Sequence, residues 1–145
     1  MRSEDSKLAL GLTRCASDCL EALECLLRER MSSLSIGILA GHCLEAALKA
    51  HLASSGWTEA QLKSLGHDLL KAWEATRSVG VQISDPPPRW LAGINFSHSG
   101  LRYRYPEAFD QPWLPHGDDY MDVLTDIVEP LVKQYLRRDW IDDGL

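Results

Sequence analysis

The chain has 145 residues, 45% of them hydrophobic, and a formal net charge of -6. That is enough apolar side chain for one domain with its own core, without a metal or disulfide to hold it, and the negative sign excludes a general phosphate-backbone binder, whose affinity comes from clustered Lys and Arg. No apolar run reaches the roughly 18 residues of a membrane span, and the polar start from Met1 to Lys7 does not read as a signal peptide, so a single cytoplasmic domain over 1–145 with no membrane contact is expected.

From about Ser6 to Met31, the residues Leu8, Leu12, Cys15, Cys19, Ala22, Leu23 and Leu26 recur at three- and four-residue steps. This predicts an amphipathic helix that leaves Asp18, Glu21, Glu24 and Arg28 to water. A second helix, rich in Ala and Leu, is predicted from about Leu34 to Ala53, where Gly37 and Gly41 stand one turn apart and leave room for a neighbouring helix. Ser54-Ser55-Gly56 ends it. Thr58-Glu59-Ala60-Gln61 has the form of a capping box and predicts a short helical turn. Gly66 is then expected to cap a helix from His67 to about Ser78, with Asp68 near its positive end. The four cysteines (Cys15, Cys19, Cys25, Cys43) all fall on these first helices, with no Cys-x-x-Cys pair, and read as reduced, mostly buried small hydrophobes.

Val81 to Pro88 contains three successive prolines and is read as an extended connector. Pro88 is expected to begin a short helix through Trp90, Leu91, Ile94 and Phe96. Gly100 and the prolines at 106, 112 and 115 then mark a long loop, and loops of that length are often functional. The last helix is predicted from about Asp118, through Tyr120, Val123, Leu124, Ile127, Leu131 and Tyr135, with Pro130 kinking or dividing it. The expected fold is all-α: an up-and-down bundle of four to five helices with a long Pro-rich loop before the last one.

Charge is unevenly placed. Between Pro86 and Pro106 stand Arg89, Arg102, Arg104 and His98 with no acid, and Glu107 to Glu129 holds seven acids with no Lys or Arg. This implies either a small cationic site beside an acidic face or arginines paired with those acids inside the fold. Three segments carry chemistry. His42, Glu45 and Lys49 form a polar stripe on the apolar second helix, read either as a buried structural pair or as part of a site. His67-Asp68 opens the next helix, where the acid raises and the helix N-terminus lowers the affinity of the ring for a proton. Leu101-Arg102-Tyr103-Arg104-Tyr105-Pro106 alternates cation and ring, a pattern suited to clamping a nucleotide or to anchoring the loop on helix carboxylates.

In their order and spacing these segments resemble the HEPN family (higher eukaryotes and prokaryotes nucleotide-binding domains). The resemblance rests on Glu45-Ala46-Ala47-Leu48-Lys49-Ala50, a Gly-containing break, His67-Asp68-Leu69, and Arg104-Tyr105-Pro106-Glu107, and covers roughly Leu34 to Glu107. It implies a helical bundle, usually dimeric, often paired with a nucleotidyltransferase or antitoxin partner in toxin-antitoxin or defence systems, and in many members a metal-independent ribonuclease. The family's ribonuclease pattern, Arg followed after four to six residues by His, is not met: Arg89 lies nine positions before His98, and neither Arg102 nor Arg104 is followed by a suitable histidine.

The resulting expectation is a homodimeric binding module for a nucleotide-like or other anionic ligand, RNA, or a partner protein. Its ligand site would draw on Glu45, Lys49, His67, Asp68, Arg102, Arg104 and Tyr105, with no cofactor and no metal. Gly37, Gly41, the Ala-rich second helix and five tryptophans supply the surface for the dimer. The alternatives are an endoribonuclease, with His98 and Arg102 as the catalytic candidates beside His67 or Arg104, and a purely structural adaptor whose polar residues are consumed in internal salt bridges.

Overall fold

A computed structural model describes residues 4–30, 33–99 and 119–137, and these are all-helical, with no strand among them. Six α-helices follow one another: α1 (Glu4–Arg28), α2 (Ser33–Ser54), α3 (Glu59–Ser64), α4 (Leu69–Ser78), α5 (Arg89–Ser99) and α6 (Asp119–Leu131), the last continued by a π-helical turn, Val132–Leu136. The stretch expected as a Pro-rich loop, with Arg102, Arg104 and Tyr105, lies outside the described residues. None of the described helices is long and apolar enough to cross a membrane.

The bundle is organised around α2. Its Ala40, Cys43, Leu44, Ala46, Ala47, Leu48, Ala50, Leu52 and Ala53 are all buried, and helices α1, α3, α4, α5 and α6 pack on it. A helix that is apolar nearly all round belongs in the interior, and α2 occupies it. The pairing with α1 is antiparallel: Ala9 clusters with Leu52 and Ala53 at one end, and the Cys43 thiol donates to the Ala16 carbonyl (3.4 Å) further along. Small side chains at these positions bring the two backbones close. Of the cysteines only Cys43 is buried; Cys19 is half-buried, while Cys15 and Cys25 are exposed on the outer side of α1, contrary to the expectation of mostly buried thiols. Burial pushes the Cys43 thiol up to about 12 and Cys19 to about 11, so both stay protonated.

The capping box forms as expected: Thr58 Oγ1 accepts from the Gln61 amide (3.3 Å) and the Gln61 side chain accepts from the Thr58 amide (2.8 Å). The start of α4 departs from expectation. Asp68, not Gly66, is the N-cap, its carboxylate accepting from the amides of Leu70 and Lys71 at 3.1 Å each. An Asp side chain reaches those amides and a glycine has nothing to offer them, so the helix starts two residues late and His67 stays outside it. The connector is pinned by Trp73 Nε1 donating to the Ser84 carbonyl (3.0 Å) and by Arg77 beside Asp85 (3.5 Å).

α6 passes through Pro130 without breaking and then widens into the π turn. Its Ile127 carbonyl is taken by His51 Nε2 of α2 (2.8 Å), and Tyr135 in the π turn donates to Ser54 at the end of α2 (2.8 Å).

Candidate functional site

Glu45 projects from the middle of α2 with its side chain 15% exposed, and one group from its own helix and two from other parts of the chain close on it. Its Oε1 lies 2.8 Å from His67 Nδ1 and 2.9 Å from His98 Nε2; its Oε2 lies 3.3 Å from Lys49 Nζ, one turn along. An ionised carboxylate only accepts, so in this arrangement both histidine nitrogens donate to the same oxygen. Burial by itself would push the Glu45 carboxyl up; the hydrogen bonds from His98 and His67 and the charge of Lys49 outweigh it and bring the carboxyl down to about 2.

Each partner is fixed by a different device. Lys49 also donates to the Gly66 carbonyl (2.8 Å), and Gly66 turns the chain after α3 with φ +57°, a conformation suited to glycine. This ties the link between α3 and α4 to α2 and sets His67 over Glu45. His98 comes from the last turn of α5 and enters the space left by Gly41: a Cβ built there would sit 2.5 Å from Nδ1 and 2.9 Å from Cγ of the ring. Asn95, one turn earlier on α5, accepts from the Leu69 amide (2.6 Å) and donates to Asp68 (3.2 Å), joining α5 to the start of α4. The rings of His42 and His67 meet His98 edge-on, with centroids 5.2 and 5.8 Å away.

Of the residues singled out from the sequence, Glu45, Lys49 and His67 therefore converge, and Asp68 stands next to them as a helix cap bridged to Asn95. His98, named with Arg102 as a catalytic candidate, faces Glu45: its side chain is 7% exposed, with one nitrogen on the carboxylate and the other side of the ring against Gly41. His67 is the more open of the two, its side chain 53% exposed. Arg102, Arg104 and Tyr105 lie outside the described residues. Sequence reasoning passed over Asn95 as a bridge and the pairing of His98 with Glu45. The available signal was the i, i+3 spacing of Asn95 and His98 on one face of a short helix.

Chemically, the site is a carboxylate held ionised below neutral pH, which orients one buried and one accessible imidazole. No family model, no curated protein and no solved structure matches this chain.

Proposed function

We propose that the protein is a HEPN-like binding module whose ligand, a nucleotide or another anionic group, is met at the Glu45 cluster. The observation that carries this reading is the convergence of Glu45, His67 and His98: two of the segments behind the family resemblance, far apart in sequence, meet at one point, joined by α5. Glu45 and Lys49 neutralise one another, and the half-exposed His67, whose Nδ1–H is given to Glu45, donates to an incoming anion through Nε2–H in its doubly protonated form. Arg102 follows the end of α5 by three residues, a tether of about 11 Å at full extension, which favours its cation, and Arg104 and Tyr105 behind it, as further contacts. In this reading the 100–118 stretch is the loop that completes the bundle, the module works as a homodimer in the cytoplasm, and its protein partner is a nucleotidyltransferase or antitoxin. Gly41 is filled by His98 of its own chain, so the dimer surface draws on other parts of the molecule.

A second reading has its own support. A carboxylate bonded to one nitrogen of a solvent-facing imidazole is an arrangement that fixes the tautomer and readies the other nitrogen for proton transfer. It favours His67 over His98 as the proton carrier of a metal-independent ribonuclease.

Calorimetric titration with AMP, ATP and a short single-stranded RNA tests the first reading. Binding should weaken by about tenfold or more in His67→Ala and in Arg104→Ala, the scale of one lost charged hydrogen bond. No binding to any of the three overturns it. RNA cleavage in EDTA that disappears in His67→Ala with the fold intact replaces it by the second reading. Light scattering at micromolar concentration checks the dimer, and a monomer at all concentrations removes that part.

A further inference from the structure

The atoms that meet at Glu45 are also metal donors, supplied by three separate stretches of chain. We infer that Glu45 Oε1, His67 Nδ1 and His98 Nε2 form a zinc site whose fourth position is open to water or to an anionic ligand. The three donor atoms lie within 4.8 Å of one another, and Oε1 stands 2.8 and 2.9 Å from the two nitrogens. Two imidazoles and one carboxylate are a donor set that zinc takes where three protein ligands leave an exchangeable position.

The geometry is close to what the ion needs. With bonds of about 2.0–2.1 Å, two ligands of a tetrahedral ion stand about 3.3 Å apart, so the cluster has to open by about half an ångström. His67 is the member free to give way: it is half-exposed and sits on the link between α3 and α4, outside either helix. Glu45 and His98 form the rigid side, at 15% and 7% exposure. Around them the support is already built. Lys49, itself anchored on the Gly66 carbonyl, holds the carboxylate by Oε2 and so leaves Oε1 directed at the imidazoles. Outer contacts of this type orient metal ligands and raise affinity by roughly ten- to a hundredfold. The Lys49 charge acts against a cation, but through the far oxygen of the carboxylate.

The same distances also suit a purely hydrogen-bonded triad, and the two arrangements differ in what the facing nitrogen of each ring carries: a lone pair given to the ion when zinc is bound, an N–H given to Glu45 when it is not. The competing zinc ligands are the exposed thiols of Cys15 and Cys25. Cobalt separates these cases, because it reports coordination number and thiolate ligation in its absorption spectrum.

The test titrates chelator-stripped protein with Co²⁺, followed by Zn²⁺ in competition. The expected result is one ion per chain, a low-coordinate cobalt spectrum without a thiolate charge-transfer band, displacement by zinc, and affinity weakened by at least about tenfold in His67→Ala and Glu45→Gln. Circular dichroism checks each variant; His67→Ala removes a half-exposed side chain, so it decides the matter should Glu45→Gln fail to fold. No saturable binding, a thiolate band, or undiminished affinity in His67→Ala overturns the site. The readout contains no nucleotide, so its failure is distinct from failure of the proposed ligand reading.

Discussion

His98 stands where a side chain at position 41 would be: the ring of one residue fills the gap left by the glycine of another, 57 positions earlier, with Nδ1 2.5 Å from an imagined Cβ. The Cγ atom, one bond from Cβ and so displaced only by turning the whole side chain, would be 2.9 Å away. Gly41→Ala should therefore cost about 1–3 kcal/mol, as overpacking does, despite the better helix propensity of alanine. In a His98→Ala background the same substitution should cost nothing or stabilise. Urea unfolding of the four proteins measures this coupling, and equal costs in both backgrounds would remove His98 as its cause.

Glu45→Ala leaves a buried ring and a mostly buried ammonium without their common partner. Breaking a buried pair from one side costs about 3–5 kcal/mol, and the lower end is expected here because His67 can turn to water. The pH dependence has a definite sign. The carboxyl titrates near 4.5 when unfolded and at about 2 when folded, so the unfolded chain binds the proton first. The stabilisation is complete above about pH 4.5 and drains away as the pH falls toward 2. Acid unfolding curves should flatten over that interval in Glu45→Gln. An unchanged slope would mean that the ion pair contributes no net stability.

His51 behaves in the opposite chemical sense. Burial holds its proton affinity below the ordinary 6.5, although the Ile127 carbonyl favours the N–H it receives. The unfolded state takes up the proton first, so stability from this residue is present above about 6.5 and lost as the pH falls below it. His51→Gln should reduce the loss of stability between about pH 6.5 and 5 relative to the parent. Chemical unfolding at the two pH values checks it.

The start of α4 offers a test of shared bonding. Asp68→Ala should cost about 1–2 kcal/mol through the lost N-cap, and Asn95→Ala about as much through the unpaired Leu69 amide and the loosened α5. Since Asn95 also donates to Asp68, the two costs should fall short of additive by at least about 0.5 kcal/mol. Strict additivity, measured by denaturant midpoints, would show the bridge to be inconsequential.

Much of the helical framework was legible because it is written locally. The three- and four-residue spacing of Leu8, Leu12, Cys19 and Leu23 needs no distant partner to be read, and the Thr58 to Gln61 box contains both halves of its own hydrogen bonding. The Ala- and Leu-rich second helix was legible as a helix, but its place at the centre of the bundle is set by the helices that pack on it. Local pattern gave out at Gly66-His67-Asp68, where adjacent residues can each end or begin a helix and only the realised bonds of Asp68 choose between them. It placed Cys15 and Cys25 inside because cysteines are usually buried, while the face of α1 turned to α2 runs through Ala9 and Ala16. The candidate site was legible in its parts, Glu45, Lys49 and His67, but not in its assembly. His98 meets Glu45 across 53 residues, and nothing near either one says so; the nearby Arg102 was the more visible neighbour in sequence.

The way α5 is attached has a consequence for how the molecule opens. Helix α5 packs on α2 and α4 and is tied to them by the His98 and Asn95 bonds, with Trp90 reaching Asp119 of α6 at its other end (3.2 Å). Its amides should exchange with deuterium by a local excursion well before those of α2, which are released only by global unfolding. Such an excursion would take His98 away from Glu45 and leave His67 in place. The cluster would then exist in two occupancies at equilibrium, and any ligand seated there would be visible as slowed exchange along α5, even for residues it never touches.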